Sequence, residues 1–163
     1  MTTQKLFGAL TAVALLAACG SDSDSNRAAT GTGGVGGSGS VRPGSQEDLV
    51  ANIGDRVFFE TDRANIRADQ RPALERQARW MQQHAQVQVS VEGHADERGT
   101  REYNLALGER RASAAQSYLT TLGVDGSRVQ VTSYGEERPA DPGHDESAYA
   151  LNRRAVTVVN VTQ

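Results

Sequence analysis

The chain has 163 residues, enough for one domain plus tails, and its composition of 37% hydrophobic and 23% charged residues is ordinary for a soluble protein. Its formal net charge of −3 excludes a global basic field of the kind that binds nucleic acid or anionic lipid. The single cysteine, Cys19, excludes an internal disulfide.

The first segment has the layout of an export signal. Lys5 supplies a basic start, an apolar run covers residues 6–18, and small residues precede Cys19. The apolar run is too short to span a bilayer core about 30 Å thick, which needs roughly 20 residues. Residues 1–18 are therefore predicted to be a signal peptide.

The cleavage region, Leu16-Ala17-Ala18-Cys19, resembles the box of bacterial lipoproteins. That resemblance implies a diacylglycerol on the Cys19 thiol, cleavage before Cys19 and acylation of the new amine. Several acyl chains hold a protein at a membrane firmly, whereas one chain holds it marginally. The alternative is an ordinary signal peptide with an incidental cysteine. Gly20 stands where an inner-membrane retention signal would have Asp, so the resemblance implies sorting to the outer membrane.

A tether is predicted next. Residues 19–45 comprise the lipidated cysteine and a stretch rich in Gly, Ser, Asp and Thr, including the Gly/Ser run 33–40. Such a composition cannot bury enough apolar surface to offset its ordering entropy, so it is predicted to be a flexible linker. The folded domain is predicted to cover residues 46–163.

The first half of the domain predicts a strand, a helix and a second strand. Val57-Phe58-Phe59 is typical of a strand. Asp69 is predicted to cap a helix whose first turn tolerates Pro72. Apolar residues then recur at helical spacing, at Leu74, Ala78, Met81 and Ala85. After the helix, Val87, Val89 and Val91 alternate with polar residues, which predicts a strand with one buried face.

The second half predicts a long helix and two more strands. The helix is expected from Glu102 to Leu122, with Gly123 at its end. Its predicted core stripe is Leu105, Gly108, Ala112, Ala115, Leu119 and Leu122. A third strand contains Val129 and Val131, and a polar loop with Pro139, Pro142 and Gly143 leads to a last strand, Ala155–Val161. The order βαβαβ-loop-β predicts a two-layer α/β (α+β) sandwich, with one mixed sheet and its helices on one face.

The densest polar cluster is the segment 92–100, Glu-Gly-His-Ala-Asp-Glu-Arg-Gly-Thr, between the second strand and the second helix. Loops at such strand ends are where α/β sheets usually place ligands. A metal site from His94, Asp96 and Glu97 is one interpretation, but neighbours this close rarely converge on one ion. Hydrolytic catalysis is another, but no nucleophile elbow, HExxH or Ser-Lys signature is present. The third interpretation is a recognition site built from charged groups on a rigid frame.

The helix that follows supports the third interpretation. Asn104, Leu107 and Arg111 share one helix face, which we expect to lie beside the core stripe. Arg111 could then project toward Asp96. A ligand with adjacent ammonium and carboxylate would suit this pair, because Asp96 can accept from the ammonium and Arg111 can grip the carboxylate with two parallel hydrogen bonds. Alternatively Asp96 and Arg111 pair directly with each other, which their spacing alone favours.

These residues also carry a family resemblance. From about Val57 to the end of the last strand, the chain resembles the peptidoglycan-associated lipoproteins (Pal), within the wider OmpA-like family of peptidoglycan-binding domains. The resemblance lies in the segments 92–100, 102–104, 107–112, 133–135, 143–146 and 152–156. It implies a mixed sheet with helices that binds the diaminopimelate of uncrosslinked stem peptides, with no cofactor and no catalysis.

The resemblance also assigns residues. By motif position, Asp96 matches the ammonium-binding Asp of the family, and Arg111 matches its carboxylate-binding Arg. Asn104 and Leu107 match residues that line the pocket, and Asp62 matches a further site Asp. Two more positions are possible contacts. Thr61 replaces a Phe that the family often has, which leaves one pocket wall less apolar, and Arg153 belongs to a typical Asn-Arg pair that we expect to brace the site.

The implied setting is the Tol-Pal system, which maintains the envelope and constricts the outer membrane at cell division. The resemblance implies that TolB is a partner, with TolA as a further contact, and that TolB competes with the wall. Three other functions stay open: an OmpA-like lipoprotein of another envelope machine, an enzyme acting on peptidoglycan, and a protein-interaction module with a decayed wall site.

Overall fold

The computed structural model describes residues 41–160. The predicted signal peptide, Cys19 and the Gly/Ser run 33–40 lie outside the described residues, as does Val161 at the end of the predicted last strand. Within the described range, helices and strands follow in the order α1 (Gln46–Asp48), a π-helical turn (Leu49–Ile53), β1 (Arg56–Phe58), α2 (Arg71–Gln83), β2 (Gln88–His94), α3 (Arg101–Thr121), a 3-10 turn (Gly126–Arg128), β3 (Val129–Gly135), α4 (Glu146–Asn152) and β4 (Arg154–Asn160).

The four strands form one mixed sheet in the order β1-β4-β2-β3. Strand β4 is antiparallel to both β1 and β2, whereas β2 and β3 are parallel. Strands β1, β2 and β3 therefore run in the same direction and end at one edge of the sheet, where β4 begins. We call this the carboxyl edge, and the opposite one the amino edge. The predicted fold class is confirmed.

The core lies between the sheet and the helices, because alternate residues of each strand point to one face. Val57, Ala155, Val89 and Val129 occupy that face and are 2% exposed or less. Burying an aliphatic side chain of this size stabilises the fold by about 1.5–3 kcal/mol. The helices contribute the other half of the core, at Leu74, Ala78, Trp80, Met81, Ala112, Ala115 and Leu119.

Helix α2 begins differently from the prediction. Asp69 does not cap it: the Asp69 carboxylate accepts two hydrogen bonds from Arg67, at 2.9 and 2.8 Å. The helix follows Gln70, whose side chain makes no capping bond and accepts instead from the backbone N–H of Phe58 at 3.1 Å. Asp69 therefore pairs with Arg67 instead of accepting from the first N–H groups of the helix. Pro72 lies in the first turn as predicted.

Helix α3 extends within one residue of its predicted bounds at each end, and the Thr100 side chain caps it by accepting from the N–H of Tyr103. Its buried stripe is rotated from the predicted one. Leu105 was predicted to be in the core but is 39% exposed. Asn104, Leu107 and Arg111, expected beside the core, are 3% exposed or less.

The rotation of α3 has a steric cause. A Cβ atom at Gly93 of β2 would overlap the carbonyl of Gly108, so the helix and strand backbones touch at this point. Contact at Gly108 turns the row that contains Asn104 and Arg111 toward the sheet, and Leu105 falls on its outer flank.

Two short helical segments were not predicted. Helix α4 follows the polar loop and is capped by Asp145, which accepts from the N–H of Ala148 at 2.9 Å. The Asn152 side chain holds that loop by accepting from the N–H groups of Ala140 and Asp141 at 2.7 and 3.0 Å. At the other end of the chain, α1 and the π-helical turn precede β1. Both segments are too short to show a helical period.

Candidate functional site

The charged cluster lies at the carboxyl edge. Beyond β1, the N–H of Phe59 donates to the carbonyl of Arg153 at 2.9 Å, and beyond β2 the N–H of Ala95 donates to the carbonyl of Gly135 at 2.8 Å. These bonds extend β1 and β2 by one residue and link them to the residue before β4 and to the end of β3. The sheet therefore provides a fixed frame for side chains from distant parts of the chain.

Arg111 is fully buried and braces two of these loops. Its guanidinium donates to the backbone carbonyls of Arg63, His94 and Glu60, at 2.9, 2.8 and 3.0 Å. It also lies over the ring of Phe59, 5.3 Å from the centroid. The direct pair between Asp96 and Arg111, which spacing had favoured, is therefore wrong: main-chain oxygens, which leave no mark in the residue pattern, take its place.

Burial lowers the pKa of Arg111 to about 10, because desolvation disfavours the charged form, while the charges of Asp96 and Asp62 partly oppose the shift. The side chain remains a cation at neutral pH. A guanidinium has five N–H donors in a planar fork. Three of them bond to the carbonyls above, which leaves two N–H groups outside these three bonds.

Asp96 is 6% exposed and is surrounded by arginine. Its Oδ1 accepts from the backbone N–H and Nε of Arg98 at 3.1 and 3.2 Å. Its Oδ2 accepts from Nη2 of Arg98 at 2.6 Å and from Nη1 of Arg153 at 3.2 Å. Burial alone would raise the pKa of Asp96, but these bonds outweigh it, so the pKa is lowered and the group is a carboxylate at neutral pH.

Arg153 links Asp96 to the rest of the frame. Its Nε donates to the carbonyl of Phe59 at 3.1 Å, and its Nη2 donates to Glu146 at 2.8 Å. The guanidinium is 7% exposed and is fixed from three sides. It touches Asp96 directly while it also holds β1 and α4 in place.

The remaining predicted residues surround this centre. Asp62 lies in the turn after β1 with φ 55°, a left-handed conformation that Asp tolerates better than most residues, and its Oδ1 accepts from the hydroxyl of Tyr103 at 3.4 Å. Thr61 accepts from Arg98 at 3.4 Å. Asn104 is buried and donates to Glu136. Leu107 is buried but makes no polar contact.

Two residues at this edge had been given no role from sequence. Arg98 contacts Asp96, and Glu146 receives both Arg153, at 2.8 Å, and Arg98, at 3.4 Å. Both residues belong to segments of the family resemblance, 92–100 and 143–146. The signal was therefore present, but their distance of 48 positions along the chain gave no reason to join them.

His94 occupies the other face of the sheet. It is 2% exposed, stacks on Tyr134 with 5.7 Å between ring centroids, and neither ring nitrogen has a hydrogen-bond partner among residues 41–160. Its pKa is lowered to about 3, chiefly because burial disfavours the charged ring and further because Arg154, Arg138 and Arg56 lie nearby. The ring is therefore neutral at physiological pH.

Within the part of the chain that the structure describes, no group of three or more His, Cys, Asp or Glu residues is placed to hold a metal ion. None of the helices between residues 41 and 160 combines the length and apolarity that a membrane crossing requires.

A sandwich that gathers opposite charges at the carboxyl edge of a mixed sheet defines a ligand-binding domain, and comparison with known proteins agrees. The OmpA family matches residues 58–160. A peptidoglycan-associated lipoprotein of Mesorhizobium japonicum is 49% identical over 160 residues, covering 98% of this chain and 94% of the relative. One from Agrobacterium fabrum is 50% identical over 151 residues, covering 93% and 85%.

Solved structures agree with the sequence comparison. The peptidoglycan-associated lipoprotein from Burkholderia pseudomallei has a TM-score of 0.63 and 39% identity, covering 65% of this chain and 90% of that one. The C-terminal domain of Helicobacter pylori MotB has a TM-score of 0.62 at 24% identity, covering 66% and 85%, and shows the shared fold alone. The chain belongs to the OmpA family and, within it, to the peptidoglycan-associated lipoproteins.

Proposed function

We propose that this protein binds the peptidoglycan wall non-covalently and catalyses no reaction. The proposed ligand is the diaminopimelate of uncrosslinked stem peptides, whose side chain ends in both an ammonium and a carboxylate. The observation that carries the proposal is the pair of opposite charges held on one rigid edge: the carboxylate of Asp96 and the buried guanidinium of Arg111. Asp96 receives the ammonium, and Arg111 receives the carboxylate.

The bracing of Arg111 supports this assignment. A guanidinium already held by three carbonyls loses little side-chain entropy when a ligand arrives, and its low exposure strengthens each charge-assisted bond. In the same proposal Asn104 and Leu107 line the pocket and Asp62 supplies a second carboxylate. Thr61 forms part of the wall and Arg153 fixes Asp96.

The proposed setting is the cell envelope. Lipid on Cys19 anchors the chain in the outer membrane, and the domain binds the wall from the periplasm. The linker lets one molecule hold both layers, and each contact with a stem need only be weak, because confinement raises the effective concentration. Such a tether maintains the envelope and draws the outer membrane inward at division.

Partners form the second part of the proposal. By family membership, TolB is expected to bind this protein at a surface that overlaps the wall site, with TolA as a further contact. Full-length protein on beads should capture purified TolB, and a diaminopimelate stem peptide should release it. If excess stem peptide does not release TolB, the TolB surface and the wall site do not overlap. If no TolB is captured, a different envelope machine is favoured.

The decisive experiment is a titration of the full-length protein in detergent with a diaminopimelate stem peptide and with a lysine stem, which lacks the side-chain carboxylate. We expect the lysine stem to bind roughly tenfold to a hundredfold more weakly, because a charge-assisted hydrogen-bonded contact contributes about 1.5–3 kcal/mol. Arg111→Lys keeps the positive charge but loses the planar fork of donors, so it should lower the affinity for the diaminopimelate stem by a similar factor.

Arg128→Lys is the matched control. Arg128 also donates to three backbone carbonyls, those of Val87, Met81 and His84, but it lies at the amino edge. The two variants lose the same kind of brace at opposite edges of the sheet, so a general loss of stability would affect both. Equal affinity for both stems, or equal binding by Arg111→Lys and wild type, would contradict the assignment. Release of soluble muropeptides from isolated wall would favour an enzyme instead.

A further inference from the structure

Arg98 lies on the carboxylate that the proposed ligand needs. Two of its guanidinium nitrogens contact Asp96, Nε to Oδ1 at 3.2 Å and Nη2 to Oδ2 at 2.6 Å. The same guanidinium stacks on the ring of Tyr149, 4.5 Å from its centroid. A ligand ammonium bound to Asp96 would need the same environment that Arg98 occupies, a carboxylate beside an aromatic ring.

The contacts of Asp96 leave no place for a further cation. A carboxylate has about four lone-pair directions. Asp96 accepts from the backbone N–H, Nε and Nη2 of Arg98 and from Nη1 of Arg153, which makes four donors. A ligand ammonium can therefore bond to Asp96 only after one of these donors leaves.

Arg98 is the donor that can leave. Its side chain is 42% exposed, whereas that of Arg153 is 7% exposed and is bonded from three sides. A second carboxylate lies ready to receive it, because Nη1 of Arg98 is already 3.4 Å from Glu146, which is itself 65% exposed. A small swing over the Tyr149 ring would transfer the guanidinium from Asp96 to Glu146.

We propose that Arg98 is an internal competitor for the ammonium of the ligand: it closes the site when empty and moves to Glu146 when the ligand binds. This inference rests on the proposed function. The apparent dissociation constant is then the intrinsic constant divided by the fraction of molecules in which Arg98 has left Asp96. Arg98 thereby sets the affinity of the tether without contributing to the recognition of its ligand.

The test is the affinity of the full-length protein in detergent for a diaminopimelate stem peptide. Arg98→Ala removes the competitor and keeps the backbone N–H bond to Asp96, so we expect binding to tighten by roughly 1.5-fold to fivefold, the range of an exposed ion pair. Arg101→Ala is the control, because it removes the same charge from an exposed side chain that pairs with Glu137. It should leave the affinity unchanged.

A second variant tests the destination. Glu146→Gln removes the carboxylate that receives Arg98, so it should weaken binding in the wild type and have a smaller effect in the Arg98→Ala background. The Nε hydrogen of Arg98, followed by NMR, should be protected from exchange with solvent in the free protein. Its protection should fall on saturation with stem peptide.

The outcomes separate the two proposals. If wild type binds the stem and Arg98→Ala binds equally or more weakly, the competitor role is overturned while the wall site stands. A protected Nε–H in the complex would overturn it as well. If neither wild type nor Arg98→Ala binds the stem, the proposed ligand is wrong and the competitor role falls with it.

Discussion

Several arginine side chains in this domain bond to main-chain oxygens. Arg111 and Arg128 each reach three carbonyls, and Arg153 and Arg154 each reach at least one. A planar fork of five donors can satisfy several carbonyls in an irregular loop, which the compact ammonium of lysine cannot do in the same geometry. The loops of both sheet edges are thus held by side chains rather than by added secondary structure.

His94 should make stability depend on pH. Its pKa is about 3 in the folded protein, because of burial and nearby arginines, and about 6.5 when unfolded. Between these values the unfolded chain binds the additional proton, so stability falls as the pH drops below about 6.5. From pH 7.5 to pH 5 the loss due to this group is about 2 kcal/mol.

Urea unfolding at the two pH values measures the effect. In His94→Leu, which fills similar space without titrating, the loss should shrink by about 2 kcal/mol. His144→Leu serves as the matched control for the loss of an imidazole, because the His144 side chain is 77% exposed. The depressed pKa of Asp48, about 2, acts only at lower pH and does not interfere. If the free energy of unfolding of His94→Leu depends on pH as strongly as that of wild type, His94 is not the cause of the pH dependence.

For single residues, the sequence predicted which segments come together but not which bonds they make. The segment 92–100 and the face of Asn104, Leu107 and Arg111 were predicted to meet, and the structure brings them to one edge. The partner of Arg111 could not be predicted, because carbonyl acceptors belong to every residue alike. The contact between Arg98 and Glu146 depends on where α4 lies, and that helix was itself not predicted.

Among the larger elements, the backbones of helix α3 and strand β2 are in direct contact. Gly93 and Gly108 face each other, and neither leaves room for a Cβ atom. The approach carries α3 over the sheet so that Arg111 reaches the carbonyl of His94 at 2.8 Å. The geometry of the site therefore depends on two residues that have no side chain.

Gly93→Ala should be strongly destabilising. Its added methyl would overlap the backbone of Gly108, which cannot move aside as a flexible side chain can, so we expect a loss of about 3 kcal/mol, at the upper end of overpacking costs. Thermal or urea unfolding measures it. Gly126→Ala is the matched control, since a methyl there meets only Thr120 Oγ1 at 3.7 Å, an ordinary contact. Similar losses in both variants would contradict the packing argument.

The elements differ in how well they could be predicted. Strands β2 and β3 and helix α3 were identified because alternation or a helical period ran through several residues. The rotation of α3 was not identified, because the predicted stripe followed the apolar Leu105 rather than the polar Asn104 and Arg111, which are buried. Helices α1 and α4 span 3 and 7 residues, too few for a period to be visible.

For the whole molecule, the anchor and the domain are predicted to act separately. In Cys19→Ser we expect the protein to leave the membrane fraction and to keep its binding to isolated wall, because the thiol that carries the lipid is gone and the domain is unchanged. Gly20→Asp should leave the protein in the membrane fraction but move it to the inner membrane. Fractionation and co-sedimentation measure both, and a Cys19→Ser protein that stays in the membrane fraction would contradict lipidation at this residue.

The chain enters the folded region at the amino edge. Gly44, near the end of the predicted tether, donates to Asp48 at 2.9 Å and lies against His84 and Val87, the residue before β2. The proposed wall site lies at the other end of the same strands. In the proposed tether, tension between membrane and wall would run along the strand axes and load the ladder of hydrogen bonds in shear, so that many bonds would have to break together. Peeling the strands apart from one end would instead break the bonds one at a time, so the proposed attachment points favour resistance to pulling.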